Sequence, residues 1–328
     1  MEILFLGTSS GIPTTARNVS ALAIRSTGSR AWYLVDCGEG TQHRILRTNL
    51  SLATLRAIFI THVHGDHCYG LPGLLASAGM QNRSERLVIV GPAMVEDFVR
   101  GVIDTTALRL PYELEFIHVE EVSATTQFDD IDMYATAPSH RVPSFAYSFT
   151  EKAVMRKLDT EKLERDRVPG GPIRGRIQQG QDVTLDDGRT IYASDYLLPL
   201  RQPRKIIVGG DNDTPALLAH EASTADVLVH EATYTEAMLQ KVGPAPQHSS
   251  ALRVAQFASG AGIENLVLTH FSPRYQERGA EGLSLSDLEA EAKIAYRGNL
   301  FLAHDFDCYR LDKQGRLVKL PATADVSA

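Results

Sequence analysis

Cysteine and long apolar runs are both scarce in this sequence of 328 residues. Its three cysteines, Cys37, Cys68 and Cys308, are too few and too scattered for a disulfide framework or a cysteine-based zinc site. No run approaches the roughly 18 apolar residues that a membrane-spanning helix needs, and residues 1–7 do not resemble a secretion signal. These absences predict a soluble, cytoplasmic protein without a membrane partner.

Positive charge is also in short supply, since 33 Lys and Arg stand against 40 Asp and Glu and give a formal net charge of −7. Over the whole chain, this balance argues against a nucleic-acid partner, because Lys and Arg supply most of the affinity for phosphate backbones. Residues 151–180 are an exception, with eight positive and five negative side chains. Any basic surface is therefore expected to be local.

Short apolar runs recur along the chain, as at residues 3–6, 57–60 and 205–208, and stretches with helical periodicity lie between them. This alternation predicts an α/β fold. Residues 151–203 differ, because charge is dense there and Pro and Gly cluster at residues 168–172. We therefore expect one domain over residues 1–328, into which a flexible arm with one amphipathic helix is inserted at 151–203.

Polar side chains that can bind metal follow the apolar run at 57–60. His62, His64, Asp66 and His67 place three imidazoles and a carboxylate within six residues, a donor set that suits a borderline cation such as Zn²⁺. His62 and His64 can point the same way from an extended segment, and Gly65 lets the chain turn so that the other two face a second position. One segment could thus serve two metal ions, although an exposed polar loop is the alternative.

A complete site for two metals needs further ligands in the same context, at the ends of other predicted strands. His140, Asp211 and His270 each follow a short β-like run. Taken singly, each could be an ordinary cap or turn residue. Together with the histidine segment, they predict the remaining ligands of a site for two metal ions.

The Thr-His-x-His-x-Asp-His pattern at residues 61–67 is the signature of the metallo-β-lactamase superfamily, and the chain resembles the tRNase Z (ribonuclease Z, ribonuclease BN) branch of it. The resemblance implies a four-layer αβ/βα sandwich of two mixed sheets, with the site on loops at one edge. The motifs that carry it lie along nearly the whole chain, at residues 5–9, 13–18, 36–42, 61–67, 70–74, 230–233, 248–250 and 270–275.

The resemblance also implies which residues hold metal. One zinc would bind His62, His64 and His140, the other would bind Asp66, His67 and His270, and Asp211 would bridge the two ions. Mn²⁺ or Co²⁺ could substitute. The family usually reads Gly-Asp-Thr at the bridging position, whereas here Asp211 follows the glycine and Asp213 precedes the threonine. We prefer Asp211, and Asp213 is the alternative.

The activity implied is that of a hydrolase, an endoribonuclease that removes the 3′ trailer from precursor tRNA through a hydroxide activated by two zinc ions. His248 would donate the proton to the leaving oxygen, Glu231 would orient His248, and Asp66 could orient the attacking water. In the family, a similar arm clamps the tRNA from the partner subunit of a homodimer. The predicted substrate contacts are Gly170 and Pro172 at the tip of the arm, and Arg17 and Arg274 near the cleavage site.

Two other readings remain open on the sequence. The chain could be another hydrolase of the superfamily, such as a small-molecule phosphodiesterase, an arylsulfatase or a lactonase, because the histidine segment specifies metals and not the substrate. It could also be an RNA-binding module without turnover. Residues 230–233, His248 and the arm favour the ribonuclease.

Overall fold

The computed structural model describes residues 1–122, 124–152, 154, 156–276 and 282–321. Strands and helices are interspersed along these residues. The strands are β1 (Glu2–Gly7), β2 (Ala21–Arg25), β3 (Trp32–Val35), β4 (Leu55–Phe59), β5 (Leu87–Gly91), β6 (Leu114–His118), β7 (Thr126–Gln127), β8 (Ile131–Thr136), β9 (Ala146–Glu151), β10 (Val183–Thr184), β11 (Thr190–Ile191), β12 (Lys205–Val208), β13 (Val227–Glu231), β14 (Asn265–Thr269), β15 (Asn299–Leu302), β16 (Cys308–Leu311) and β17 (Leu317–Lys319). The helices are α1 (Thr41–Ile45), α2 (Gly65–Cys68), α3 (Leu71–Met80), α4 (Ala93–Thr106), α5 (Thr160–Arg165), α6 (Pro172–Gln178), α7 (Ala219–Ala222), α8 (Glu236–Val242), α9 (Ala251–Gly260) and α10 (Leu285–Ala295).

The chain separates into two compact units, one made of Met1–Thr150 with Arg204–Ala328 and the other of Glu151–Pro203. The first unit contains two mixed sheets, with strand orders β17-β16-β1-β2-β3-β4-β5-β6 and β15-β14-β13-β12-β9-β8-β7. Strands β3 to β6 are parallel neighbours, and so are β12 to β15. Because parallel neighbours end at the same edge of a sheet, the segments after β12, β13 and β14 lie side by side.

The two-residue period of a strand divides its side chains between two apolar layers. In β4 and the residue after it, Ala57 and Phe59 belong to the cluster between the sheets, whereas Ile58 and Ile60 pack under helices α3 and α4. A third cluster lies between the second sheet and helices α9 and α10. The order of layers is therefore helix, sheet, sheet, helix, and the predicted αβ/βα fold is confirmed.

The second unit has an apolar interior of its own, which includes Leu163, Ile177 and Tyr196. The expectation of one amphipathic helix was wrong, since α5 and α6 are two short helices followed by the β10–β11 hairpin. Gly171 has a positive φ of 80° directly before Pro172, the first residue of α6. Proline can begin a helix but not continue one, so the cluster at 168–172 divides the helical stretch.

A helix that could span a bilayer is not found in the described part of the chain, because no helix there is both long enough and apolar enough.

Phe59 provides a test of the core between the two sheets. Its ring is fully buried and lies 5.0 Å from Phe149, 5.4 Å from Tyr147 and 6.2 Å from Tyr33, measured between ring centroids. Phe59→Ala should lower the free energy of unfolding by about 3–5 kcal/mol, because it removes contacts to strands of both sheets. Guanidinium unfolding followed by the fluorescence of Trp32, the single tryptophan, measures this loss.

Met80→Ala is the control for this measurement, because Met80 is 86% exposed. It should change the free energy of unfolding by no more than about 0.5 kcal/mol. Equal losses in the two variants would contradict the role assigned to Phe59.

Candidate metal centre

The histidine segment changes from extended to helical backbone at Gly65. The chain runs extended from the end of β4 through His64, whose φ and ψ are −65° and 147°, and α2 begins at Gly65. His62 and His64 therefore lie on the extended part, while Asp66 and His67 lie on the first turn of the helix. The turn expected at Gly65 separates the side chains into two pairs.

Three histidines and one aspartate form the first group of possible ligands. His64 Nδ1 lies 2.9 Å from His62 Nε2 and 3.1 Å from His140 Nε2. Asp211 Oδ2 lies 3.8 Å from the Nε2 atoms of both His62 and His140. One donor atom of each residue falls within 4.8 Å of all the others, which is the spacing expected around a single ion.

The second group lies on the other side of the same aspartate. Asp66 Oδ2 is 3.5 Å from His67 Nε2 and 3.3 Å from His270 Nε2. Asp211 Oδ1 is 3.5 Å from His67 Nε2 and 3.4 Å from His270 Nε2. Asp211 thus directs one carboxylate oxygen to each group, which is the arrangement of a bridging ligand.

Asp211 also shows that the site suits a cation. Its side chain is buried, and among the described residues its Oδ1 atom has no hydrogen-bond partner. A buried carboxylate oxygen without a partner is costly, whereas a metal ion would satisfy it. Imidazole and carboxylate together suit zinc and similar divalent ions. The residues therefore fit two divalent ions with Asp211 between them.

The pKa of His67 shows the same preference for positive charge at this site. Burial lowers the pKa of His67, but the negative charges of Asp211, Asp66 and Asp36 outweigh burial and raise this pKa to about 10. The carboxylates around His67 therefore favour positive charge at this position, which a bound metal ion would supply.

Hydrogen bonds from outside the two groups orient the ligands. His67 Nδ1 donates to Asp36 Oδ2 at 2.7 Å, and His140 Nδ1 donates to the carbonyl of Gln247 at 3.0 Å. Both bonds leave Nε2 to face the centre of the site, and such bonds hold a ring in the orientation that its metal requires.

Sequence reasoning missed these orienting residues as functional ones. Asp36 lies in the motif at residues 36–42 and could have been found there. Gln247 carries no signal in the sequence, because it acts through its backbone. The same holds for Gly11, whose N–H donates to Asp66 Oδ2 at 2.7 Å. The site thus depends on backbone groups from loops that are distant along the chain.

Three of the seven described non-glycine residues with a positive φ lie at these loops. Asp36, Gln247 and His270 have positive φ values of 59°, 52° and 57°, in the left-handed region that residues with a side chain seldom adopt. Each is a proposed ligand or orients one. Strained residues of this kind persist only where the surrounding structure holds them.

His248 and Glu231 form a buried pair beside both groups. His248 Nδ1 lies 3.1 Å from each carboxylate oxygen of Glu231, and the His248 ring is 5.4 Å from that of His140 and 5.5 Å from that of His270. Burial lowers the pKa of His248, but the charge and hydrogen bond of Glu231 raise it to about 9. Because Nδ1 is held by the carboxylate, Nε2 on the other side of the ring can carry a proton to a substrate.

The remaining predicted residues are not all placed as expected. Arg274 is exposed, and its guanidinium lies 5.9 Å from the ring of Tyr234, which is itself 6.1 Å from His248. Asp213 belongs to neither ligand group, and its carboxylate accepts a hydrogen bond from Thr214. Gly170 and Pro172 are exposed in the second unit.

Arg17 requires a correction, because it is 3% exposed. Its Nη1 donates to the carbonyl of Tyr275 at 3.2 Å, and its guanidinium packs 5.4 Å from the ring of Phe271. These contacts bury the charge under the loop and argue against direct contact with RNA. Arg17 instead holds its own loop to the segment that follows His270.

Two facing mixed sheets with helices outside them, and two His/Asp groups on loops at one edge, define a metal-binding protein of the metallo-β-lactamase fold. The solved structure of human tRNase Z, short form, matches with a TM-score of 0.65 and 26% identity over 94% of this chain and 98% of that one. A ribonuclease Z of Marinobacter nauticus is 52% identical over 98% of this chain and 99% of its own, and one of Pseudomonas putida is 50% identical over 97% and 99%. The chain belongs to the ribonuclease Z family.

A family model described as "Anti-Pycsar protein Apyc1" also matches, over residues 1–155. This part of the chain contains the histidine segment and His140 but ends before Asp211. The match therefore covers less than half of the chain and part of the site.

The choice between Asp211 and Asp213 can be tested by metal content. Asp211→Asn should lower the amount of metal bound by both groups, because the two groups share this carboxylate and both lose its negative charge. Asp213→Asn is the matched control and should keep the wild-type content. Elemental analysis after dialysis against a weak chelator measures both. Metal loss from the Asp213 variant alone would reverse the assignment.

Proposed function

We propose that this protein is a metal-dependent endoribonuclease that removes the 3′ trailer from precursor tRNA. The observation that carries the proposal is the Glu231–His248 pair beside the two ligand groups, in a chain of the ribonuclease Z family. A metal pair and an adjacent proton donor are what hydrolysis of a phosphodiester needs. Since its substrate would be precursor tRNA, the enzyme would act in the cytoplasm.

Two zinc ions per subunit are our proposal for the metals, with Mn²⁺ or Co²⁺ able to replace them. The first would be held by His62, His64 and His140, the second by Asp66, His67 and His270, and both by Asp211. When bound, the ions supply Lewis-acid stabilisation of phosphate oxygens and lower the pKa of water.

Residues of the chain would donate the proton, orient the reacting groups and bind the phosphate. The leaving group is the 3′ oxygen of the last tRNA nucleotide, and His248 Nε2 would donate a proton to it. Glu231 keeps Nδ1 of the same ring fixed and stabilises the charged imidazole. Asp66, oriented by the N–H of Gly11, would direct the attacking water. Arg274 lies beside Tyr234 near His248, where its charge could hold a phosphate.

The test is cleavage of a 3′-extended precursor tRNA directly after the discriminator base. His248→Ala should lower kcat by about 10²–10⁴-fold, the usual contribution of a general acid, with the metal content unchanged. His220→Ala is the control, because the His220 side chain is 92% exposed. Gel mapping of the cut end and elemental analysis provide both readouts.

Two outcomes would contradict the proposal. Hydrolysis of small phosphodiesters without cleavage of precursor tRNA would favour another hydrolase of the same fold. Binding of precursor tRNA without any cleavage by the metal-loaded protein would favour an RNA-binding module.

We further propose that residues 151–203 bind the tRNA, and that the protein works as a homodimer in which this unit of one subunit holds RNA cut by the other. The observation that supports RNA binding by this unit is the distribution of charge along it. Residues 151–180 have eight positive and five negative side chains, whereas residues 181–203 have two and four. Lys157, Arg165 and Arg176 are exposed in the basic part. We assign RNA binding to this part and not to the acidic hairpin.

Replacing Lys157, Arg165 and Arg176 together by Ala should raise KM for precursor tRNA and leave hydrolysis of a small phosphodiester unchanged. Each lost phosphate contact should also lower the slope of log K against log salt concentration by about 1. The matched control replaces the exposed Glu161, Glu164 and Asp186 by Ala. An unchanged salt slope in the basic variant would rule out these contacts.

A further inference from the structure

Asn212 lies between the proposed bridging ligand Asp211 and the Glu231–His248 pair. It is fully buried, and its N–H donates to Glu231 Oε1 at 2.9 Å. Its carbonyl accepts a hydrogen bond from Ser249 Oγ at 2.6 Å. The backbone of one residue is therefore bonded both to the carboxylate that holds His248 and to the residue that follows His248.

Both polar atoms of the Asn212 side chain also form hydrogen bonds. Its Nδ2 donates to His230 Nε2 at 3.2 Å, and His230 Nδ1 donates to the carbonyl of Glu231 at 2.8 Å. Its Oδ1 accepts the N–H groups of Thr214 at 3.0 Å and of Ser139 at 3.3 Å.

The chemistry of these partners selects an amide at position 212. The Nε2 atom of His230 needs a donor, because its Nδ1 already donates, whereas the two N–H groups need an acceptor. Aspartate has no donor to offer and would add a buried charge. Alanine would leave the buried Nε2 of His230 without its donor and two backbone N–H groups without this acceptor.

We infer that Asn212 is a positioning residue that keeps His248 at a fixed distance from the bridging carboxylate. The inference rests on the proposed function, because it concerns the proton donor of that reaction. His248 Nδ1 lies 3.7 Å from Asp211 Oδ2, and Asn212 follows Asp211 directly in the chain. The peptide unit between these residues connects the site that would bind the phosphate to the group that would protonate the leaving oxygen.

This role has a signature that a purely structural role lacks. A ribose 3′ oxygen is strongly basic and needs a proton as it leaves, whereas p-nitrophenolate is stable enough to leave without one. Displacement of His248 should therefore slow the cleavage of RNA and leave the hydrolysis of an aryl phosphodiester unchanged. A general loss of structure would slow both reactions.

Two variants test the connection from opposite sides. Asn212→Ala removes the side-chain bonds, and Ser249→Ala removes the hydroxyl that is bonded to the Asn212 carbonyl. Either change should lower kcat on a 3′-extended precursor tRNA by about 10–100-fold, the usual effect of losing an orienting partner. KM for this RNA, kcat on bis(p-nitrophenyl) phosphate and the metal content should keep their wild-type values.

Asn265→Ala is the matched control. Asn265 is also a buried asparagine in the first unit, with Nδ2 donating to the carbonyls of Asp226 at 2.7 Å and Gly315 at 2.8 Å. It begins β14, at the end of the strand opposite to His270. Its replacement should reduce thermal stability, and any loss of kcat should be the same on both substrates.

The outcomes separate the inference from the proposed function. Equal losses on RNA and aryl ester in the Asn212 and Ser249 variants, or loss of bound metal in both, would overturn the inference while wild-type cleavage of precursor tRNA still stands. Failure of the wild-type enzyme to cut precursor tRNA would overturn the proposed function and, with it, the inference. If Asn212→Ala does not fold, Ser249→Ala decides the question alone.

Discussion

The buried carboxylate of Asp211 is the interaction on which the rest of the site depends. It lies between two groups of imidazoles, and its Oδ1 atom has no hydrogen-bond partner in the described part of the chain. Burying such a charge costs several kcal/mol unless a cation offsets it. The raised pKa of His67 shows the same preference of the surrounding carboxylates for positive charge. The fold therefore maintains a cation site, and metal binding there should stabilise the folded protein.

Rigid sheets make this arrangement possible. The proposed ligands come from four segments, which follow β4, β8, β12 and β14 of the two sheets. Three residues that are proposed ligands or orient one have left-handed backbone conformations. Each such conformation costs about 1–3 kcal/mol, which only well-packed surroundings can sustain. The aromatic cluster around Phe59 joins the two sheets beneath the site. Packing between the sheets thus determines the distances between ligands that are far apart in the sequence.

The α/β class and the candidate ligands could be predicted from local patterns, whereas the four-layer arrangement was implied by the family resemblance. The segment His62–His67 is short enough for its backbone to set the direction of each side chain, and His140, Asp211 and His270 follow apolar runs whose ends meet at one edge. Long-range contacts could not be predicted in this way. Arg17 is buried because Phe271 and Tyr275 pack over its loop. Gln247 and Gly11 orient ligands through backbone atoms, which any residue type possesses.

Under the proposed function, the two parts of the chain would contribute differently to the choice of substrate. Residues 1–155, which match the Anti-Pycsar protein Apyc1 model, contain the histidine segment that specifies metal binding. Glu231, His248 and Asn212 lie beyond this range, and so does most of the unit with the local basic excess. A metal pair can attack many phosphodiesters, but a held proton donor is needed only for a poor leaving group such as a ribose oxygen. Under the proposed function, selection for RNA would therefore depend on the second part of the chain, and the net charge of −7 says little about it.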